Sequence, residues 1–557
     1  MQRSTELADV LLREYDRRGM LLVPPVSADD LRQALVINDD VEHALLMEEL
    51  GAGGSLPADL ERVRMRFYES DEDDRRTIEA LDGSRYDDAL IESARRRLVD
   101  QLRAKRLRGA GPDETAVQSL VEAVRALRAD QRALLARLGV EVAVEEAPAG
   151  LFHLLATTES ARSRERVRLA WDAVGARRHG ELVAAVDAVA AERSRAARRR
   201  GARSPVAESL RGSTIDERAV CRFLDAYLAQ AIVSLDDLAD ELATALQGRG
   251  IDLPADIVLQ HAEFAVRSLV DGDRARRWQL ADVVDALRSL VRQCFALDLV
   301  TEDDRRFQLL TGDGTVIGHI TVDFTDGRGV AHANHTVPTR NRHDGSPRRT
   351  SASRVSLGFP AEPGLTAQNV QSLMHEFGHA LNHAFMRPGI PNLSGLENLP
   401  VELSETFALW FEKWPLRADW ALLDDEARAR IAMVKSVEYR RSALERGVIA
   451  ALDLAVHTGD EVGIEDAFAA IAARHDFGAR ITLDDVLPSF GEPMFRARPG
   501  AHFAYLWGAV QACTAVAEER HALDCARDWS AAGNALPEPD PSVLFRWYRE
   551  LVVLPRV

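Results

Sequence analysis

The sequence predicts a mainly α protein with one small β insertion. Apolar residues recur at three- and four-residue intervals over most of the chain, which is the spacing of amphipathic helices. Between about 305 and 360 this spacing gives way to short runs rich in β-branched and aromatic residues. The chain has 557 residues, of which 46% are hydrophobic and 28% charged, a composition typical of a folded globular protein.

The predicted helices follow one another closely from the start of the chain to about residue 290. In the segment 116–138, the residues from Val117 to Leu138 carry an apolar stripe that Gly139 ends. Similar stripes occur at about 90–107, 160–200, 216–247 and 276–297. Glycine and proline fall mostly between them, and no repeat of fixed period is present, which argues against a solenoid.

The β insertion is predicted from three short runs. Phe307–Leu310 and Val316–Phe324 are typical of strands, and Gly312-Asp313-Gly314 between them indicates a hairpin turn. Val355–Phe359 is a third candidate strand. Helical spacing resumes at about 366 and continues nearly to the end of the chain.

Charge and cysteine content exclude several classes of protein. A net charge of −18 disfavours a broad surface for nucleic acid or anionic membrane. No run of eighteen apolar residues is present, and charges are spread through the first twenty residues, so neither a membrane span nor a signal peptide is expected. The four cysteines are scattered without C-x-x-C spacing, which predicts neither disulfides nor a thiolate zinc site. A cytoplasmic protein is expected.

The most informative segment is a helix that carries His375, Glu376 and His379. Two histidines four residues apart stand on one face of a helix, about one turn from each other. Two imidazoles in that arrangement can bind one Zn²⁺, and the glutamate beside them can act as a base toward water. Apolar residues on another stripe indicate that this helix is buried, and buried histidines without a metal would be costly to desolvate.

The third metal ligand is not a histidine of the extended H-E-x-x-H-x-x-G-x-x-H motif. Asn382 stands at the glycine position of that motif and Phe385 at the third histidine position. His383 lies one further turn along the helix, and packing or support of the ligands fits it better than ligation. A glutamate on a downstream helix is the alternative.

That downstream helix is predicted from Asn398, as a plausible N-cap, to Pro415, which ends it. Glu402 and Glu405 are three residues apart and would share one face of this helix. Either of them is a candidate ligand, and the other would orient a histidine N–H.

These motifs resemble the zinc helix and downstream segment of the M3 metallopeptidases, the family of thimet oligopeptidase and oligopeptidase F. The family places its glutamate ligand about 25 residues past the second histidine, in a pattern like P-x-D-x-x-E. Pro400, Glu402, Glu405 and Glu412 fit that internal pattern, so the resemblance favours Glu405 as the ligand, with a looser register on Glu402 as the alternative. The resemblance to the family covers roughly residues 150 to 520.

The resemblance implies a helical ellipsoid of the zincin-like type, with a deep substrate channel and the small β insertion just before the zinc helix. We expect an N-terminal helical lobe over residues 1–205 and a catalytic lobe with the zinc site over 206–557, forming one channel-split molecule. The family's narrow channel implies short unstructured peptides as substrates. Nucleic acid and membrane are not expected as partners, and the sequence leaves the oligomeric state open.

A second stretch resembles the family's substrate-binding loop. It runs from Phe490-Gly491-Glu492 to His502 and on to Tyr505-Leu506-Trp507. Relatives carry histidine where Glu492 stands and tyrosine where His502 stands, whereas Tyr505 keeps its place. The resemblance implies that Tyr505, together with His502, donates hydrogen bonds to the developing oxyanion. The structural alternatives are a core tyrosine and a solvated loop histidine.

The function expected from these residues is zinc-dependent cleavage of short peptides by an endopeptidase. One Zn²⁺ per chain, held by His375, His379 and Glu405, would polarise the scissile carbonyl, and Glu376 would move the proton. Two alternatives use the same scaffold: a specialised peptide-maturation or tailoring zinc enzyme, suggested by the altered loop at 492–505, and a non-catalytic peptide-binding relative.

Overall fold

The computed structural model describes most of the chain. The described residues are 2–51, 56–69, 71–82, 84–108, 112–144, 146–211, 213–251, 261–269, 277–303, 305–325, 334–345, 348–386, 389–416, 422, 424–458, 462–477, 480–492, 494–495, 498–518, 520, 522–529 and 538–550.

Helices dominate the described residues, as the apolar spacing predicts. Those before the sheet are α1 (Gln2–Leu21), α2 (Ala28–Gly51), α3 (Ala58–Glu69), α4 (Asp71–Asp82), α5 (Ala89–Arg108), α6 (Pro112–Arg137), α7 (Ala147–Thr157), α8 (Ala161–Arg199), α9 (Pro205–Ser209), α10 (Glu217–Gln247), α11 (Ala262–Leu269) and α12 (Leu280–Phe295). The five predicted segments correspond to α5, α6, α8, α10 and α12, so these predictions are confirmed.

The helices after the sheet begin with the one that carries the histidine pair. They are α13 (Ala367–Phe385), α14 (Thr406–Phe411), α15 (Asp425–Val456), α16 (Ile464–His475), α17 (Leu483–Val486), α18 (Phe503–Ala517), α19 (Ala522–Trp529) and α20 (Pro541–Glu550). Short 3₁₀ turns lie at Pro391–Leu393, Leu396–Asn398, Val401–Leu403, Trp414–Leu416 and Leu487–Gly491. In the described part of the chain, no helix combines the length and the apolar composition needed to cross a bilayer.

The β insertion forms a mixed sheet whose strands, within the described residues, are ordered β1-β2-β3-β5-β4. The strands are β1 (Asp298–Asp303), β2 (Arg306–Leu310), β3 (Val316–Phe324), β4 (His335–Arg340) and β5 (Ser351–Leu357). β3 and β5 are parallel, and the other neighbours are antiparallel. The predicted hairpin joins β2 to β3, with Gly314 at a φ of +81°, in the left-handed region that glycine adopts without strain. The third predicted strand, Val355–Phe359, overlaps the last three residues of β5 and continues past its end.

The sequence did not predict β1 and β4, for different reasons. β1 follows α12 after two residues, so Leu297 and Leu299 extend the apolar stripe of the helix and hide the change of element. β4 is an edge strand of largely polar residues with Pro338 in its middle. An edge strand needs a partner on one side only and tolerates proline, so its sequence lacks the usual apolar alternation.

The main hydrophobic core runs from Leu120 to Tyr548 and encloses α13. Phe377 of α13 is fully buried and packs edge-on against Phe307 of β2, at 5.8 Å between ring centroids. Burial of one such side chain stabilises the fold by about 1.5–3 kcal/mol. Helix α13 is therefore a rigid support for the side chains on its other face.

The first five helices form smaller cores of their own and are tied to the sheet by polar contacts. Both carboxylate oxygens of Asp39 accept a hydrogen bond from the main-chain N–H of Asn341, at 3.0 and 3.2 Å. Arg349 forms an ion pair of 3.0 Å with Asp40. The boundary between lobes at 205/206 stays a prediction.

Candidate metal centre

The two histidines of the motif stand on one face of α13. Thr366 caps the helix: its hydroxyl accepts a hydrogen bond from the main-chain N–H of Asn369, whose side chain accepts one from the N–H of Thr366. The imidazole rings of His375 and His379 are 4.9 Å apart and nearly perpendicular. Their side chains are 18% and 14% exposed, so both remain accessible to solvent.

Glu405 completes a set of three donors with these histidines. Its Oε2 lies 3.5 Å from Nε2 of His375 and 3.4 Å from Nε2 of His379. This oxygen is buried and has no hydrogen-bond partner among the described residues, an arrangement that is costly unless a further cationic partner occupies the space between the three atoms. Burial alone would raise the pKa of Glu405, but the two histidines hold it below its usual value. The donor set suits a divalent metal ion.

Gly378 allows the segment of Glu405 to approach the histidine helix. A Cβ atom at Gly378 would lie 2.9 Å from Cα of Ala408 and 3.1 Å from Cβ of Phe411, closer than packed carbon atoms normally come. The glycine of the H-E-F-G-H sequence therefore sets the distance between α13 and α14. That distance brings Glu405, at the N-terminus of α14, to the two imidazoles.

Glu412 orients one of the imidazoles from the other end of α14. Its Oε2 lies 3.0 Å from Nδ1 of His375, so that Nδ1–H donates to the carboxylate and Nε2 faces Glu405. Burial lowers the pKa of His375, but the neighbouring carboxylates of Glu405 and Glu412 outweigh it and raise the pKa well above the usual value. Such a carboxylate fixes the tautomer and orientation of a metal-binding histidine.

The structure places Glu402 away from the histidines, contrary to both roles considered for it. The predicted helix from 398 to 415 is interrupted: Glu402 lies in the 3₁₀ turn Val401–Leu403, which follows extended backbone at Pro400, and α14 begins only at Thr406. Glu402 and Glu405 therefore do not share a helical face. The carboxylate of Glu402 accepts hydrogen bonds from the main-chain N–H and hydroxyl of Thr214, both at 2.9 Å, and from the hydroxyl of Ser213. Glu402 anchors that loop, and Glu412 has the orienting role.

Glu376 is buried beside the histidines and is held by the edge strand. The hydroxyl of Thr336 in β4 lies 2.8 Å from both Oε2 and the main-chain oxygen of Glu376. Its hydrogen bond to Oε2 leaves the rest of the carboxylate available to another donor. No pattern in the sequence pointed to Thr336, because β4 itself was not predicted.

His383 packs inside the protein, as the sequence analysis favoured. Its Nε2–H donates to the side-chain oxygen of Asn341 at 2.9 Å, and the hydroxyl of Ser353 donates to Nδ1 at 2.8 Å. Burial lowers the pKa of His383 to about 4, so the ring is neutral at pH 7. Both ring nitrogens are occupied, which leaves none for a metal ion.

Comparison with known proteins agrees with this architecture. A solved structure titled PZ peptidase A with inhibitor 2 superposes with a TM-score of 0.57 at 12% identity and covers 98% of both chains. A putative oligoendopeptidase F superposes with a TM-score of 0.58 at 14% identity, over 98% of this chain and 97% of that one. The chain has the M3 oligopeptidase fold. The resemblance found in the sequence is confirmed at this level.

Sequence comparison gives a more distant relative. The organellar oligopeptidase A of Arabidopsis thaliana, chloroplastic/mitochondrial, is 22% identical over an alignment of 269 residues that covers 42% of this chain. The match spans only 34% of that relative's length. No family model matches the sequence. All three similar proteins are peptidases by name.

Tyr505 lies on the side of α18 that faces the metal centre of this M3 fold. Gly508, three residues further along, packs so closely that an added Cβ would be 3.2 Å from the carbonyl carbon of Glu405. Residues three apart share a helical face, so Tyr505 points to the same side as Gly508. Burial raises the pKa of Tyr505, and the negative charges of Glu405, Glu492 and Glu376 raise it further. The phenol therefore remains a hydrogen-bond donor.

His502 precedes α18 and is 7% exposed, which excludes a solvated loop histidine. Its Nδ1 lies 3.0 Å from Oδ2 of Asp453, and its Nε2 has no hydrogen-bond partner. Burial lowers the pKa of His502, but Asp453 and the more distant Glu492 raise it above the usual value. No pattern in the sequence pointed to Asp453, which lies 49 residues before His502.

Proposed function

We propose that the chain is a zinc-dependent endopeptidase that hydrolyses short unstructured peptides, with one Zn²⁺ held by His375, His379 and Glu405. The observation that carries this proposal is the buried Oε2 of Glu405, which lacks a hydrogen bond and faces Nε2 of both histidines. Two histidines and a glutamate form a donor set of catalytic zinc sites that leave a position open to water or substrate. When bound, the metal polarises a peptide carbonyl and acidifies water.

Glu376 is the proposed general base. Its carboxylate accepts a proton from water as the water oxygen bonds to the peptide carbonyl carbon. When the C–N bond breaks, the same carboxylate passes that proton to the leaving amine. The hydrogen bond from Thr336 holds the carboxylate in one orientation throughout.

Tyr505 and His502 are the proposed donors to the oxygen that becomes negative during the reaction. The pKa of Tyr505 is raised, so its hydroxyl keeps the proton that it donates. A donor placed before charge develops lowers the barrier more than one that must reorganise. The predicted cytoplasmic location is part of this proposal and rests on the sequence.

Digestion of a mixed library of short peptides tests the proposal. We expect cleavage by the zinc-loaded protein, loss of cleavage with a chelator and recovery on adding Zn²⁺. Glu376→Gln should keep its zinc, measured by metal analysis, and lose about 10²- to 10⁴-fold in turnover. Glu159→Gln, at an exposed glutamate, is the matched control and should cleave normally. Unchanged turnover by zinc-loaded Glu376→Gln would refute the mechanism.

A specialised peptide-maturation or tailoring enzyme is the second candidate, favoured by the loop at 492–505. Glu492 and His502 replace residues that ordinary M3 peptidases use to bind substrate, and His502 is engaged by Asp453. The same library separates the two candidates, since a specialised enzyme would cleave a narrow set of sequences. A non-catalytic relative would bind zinc and cleave none of them.

A further inference from the structure

Asp453 is a buried carboxylate at the centre of a hydrogen-bonded cluster near the C-terminal end of α15. It is fully buried, and its two carboxylate oxygens accept four hydrogen bonds from described residues. Oδ1 accepts from the main-chain N–H of Gly500 at 2.9 Å and from Nδ1 of His457 at 3.0 Å. Oδ2 accepts from the main-chain N–H of His502 at 3.1 Å and from its Nδ1 at 3.0 Å.

This set of donors keeps Asp453 ionised. Burial would raise the pKa of Asp453, but the charges and hydrogen bonds of His502 and His457 hold it far below its usual value. An ionised carboxylate is costly to bury unless each oxygen is well bonded. Gly500 has a φ of +72°, a left-handed conformation that suits glycine and turns its N–H toward the carboxylate. The carboxylate of Asp453 therefore hydrogen-bonds both to the turn before α18 and to the ring of His502.

The two histidines bonded to Asp453 differ in their surroundings. His457, the residue that follows α15, is fully buried, and its ring lies 5.2 Å from that of Phe495. His502 retains 7% exposure and lies three residues before Tyr505, on the same side of α18. Three helical residues span about 4.5 Å, only slightly more than one residue of an extended peptide. A peptide bound beside Tyr505 would therefore place a neighbouring residue close to His502.

We propose that Asp453 is a positioning residue that holds His502 through Nδ1, so that Nε2 of His502 hydrogen-bonds to the peptide substrate beside Tyr505. The proposal rests on the proposed peptidase function and deepens it. The side chain of His502 is more than nine-tenths buried, and its Nε2 has no hydrogen-bond partner among the described residues, which is costly unless a ligand supplies one. With Nδ1–H bonded to the carboxylate, a protonated ring donates from Nε2 to a peptide carbonyl oxygen.

The charged groups around this ring come from three sides. Asp453 belongs to α15, His457 directly follows that helix, and Glu492 follows the 3₁₀ turn Leu487–Gly491. Arg193 of α8 donates to the main-chain oxygen of Phe495, with its guanidinium 5.0 Å from the centre of the Phe495 ring. Among the described carboxylates, Asp453 is the one in direct contact with His502. Its replacement should therefore change the pKa of the His502 ring most.

A pair of matched variants tests the proposal, because the amide nitrogen of asparagine occupies nearly the position of Nδ1 of histidine. His502→Asn and His457→Asn each keep a donor to Asp453 and each remove one Nε2. We expect His502→Asn to lower kcat/KM by about 10- to 100-fold, as for a lost hydrogen bond to a charged group, with zinc content unchanged. His457→Asn should stay close to the unsubstituted protein. Equal loss in both variants would mean that the cluster is only structural.

Asp453→Asn tests the carboxylate itself. In the unsubstituted background we expect a similar loss of kcat/KM and a fall of at least about one unit in the pKa of His502, measured by NMR of the imidazole nitrogens. In the His502→Asn background the same substitution should have little further effect on kcat/KM, because Asp453 acts through that ring. A full loss in both backgrounds would overturn the positioning role.

The two proposals fail in distinguishable ways. If the unsubstituted protein cleaves peptides in a chelator-sensitive manner but His502→Asn cleaves equally well, only the positioning role is refuted. If the unsubstituted zinc-loaded protein cleaves no peptide, the peptidase function fails and the positioning role in that reaction fails with it. In that case the NMR titration would still report whether Asp453 is bonded to His502.

Discussion

Replacing Gly378 by alanine tests whether the contact between α13 and α14 builds the metal centre. The added methyl would meet Cα of Ala408 at 2.9 Å and Cβ of Phe411 at 3.1 Å, and neither is the end of a flexible side chain. Helix α14 would have to move away from α13. Because α14 carries Glu405 and Glu412 at its two ends, that movement should withdraw both carboxylates from the histidines.

The expected change in the free energy of unfolding of Gly378→Ala follows from two opposed effects. Alanine in place of glycine inside a helix stabilises by about 1 kcal/mol, whereas a forced methyl in a packed interface costs about 1–3 kcal/mol. Gly180 is the matched control, since it lies inside α8 and an added Cβ would have no atom within 4 Å. The difference between Gly378→Ala and Gly180→Ala removes the helix term and should be about 1–3 kcal/mol in the free energy of unfolding.

Urea unfolding of the metal-free proteins measures this difference, and competition with a chelator measures zinc affinity. We expect Gly378→Ala to bind zinc about 10- to 100-fold more weakly than Gly180→Ala, the usual effect of disturbing groups that support metal ligands. If the two variants unfold alike and bind zinc alike, the close contact at Gly378 does not determine the position of Glu405.

Three further predictions concern the neighbouring carboxylates and His383. Glu412→Gln should weaken zinc binding about 10- to 100-fold in a chelator competition, and unchanged affinity would contradict its orienting role. Glu402→Gln should keep one zinc per chain but destabilise the protein by about 1–3 kcal/mol in urea unfolding, whereas Glu405→Gln should lose the metal. His383 takes up a proton below about pH 6.5 in the unfolded chain but only below about pH 4 in the folded one, so stability should fall by up to about 3 kcal/mol as pH decreases through that range. His383→Gln should flatten the dependence of stability on pH in this range. An equal slope in His383→Gln and the unsubstituted protein would show that His383 does not cause the loss of stability.

Most helices were predictable because their signal is local. An apolar residue every three or four positions marks the buried face of a helix wherever that face packs, and the segments 90–107 and 216–247 became α5 and α10. The pairing of His375 with His379 is also local, since four residues make about one helical turn. The strand β4 was not predictable in this way, because an edge strand with Pro338 carries little apolar alternation.

The sequence by itself determined the mainly α architecture, the histidine pair and the neighbouring glutamate, because these depend on spacing within single helices. Tertiary structure decided which of Glu402 and Glu405 lies beside the histidines: a 3₁₀ turn after Pro400 accompanies the bonds of Glu402 to Thr214, and the segment of Glu405 packs closely against Gly378. Thr336 of β4 and Glu412 at the end of α14 contact Glu376 and His375, and Asp453 of α15 contacts His502. Their hydrogen bonds join residues distant in sequence, so only the packing of complete elements brings them together.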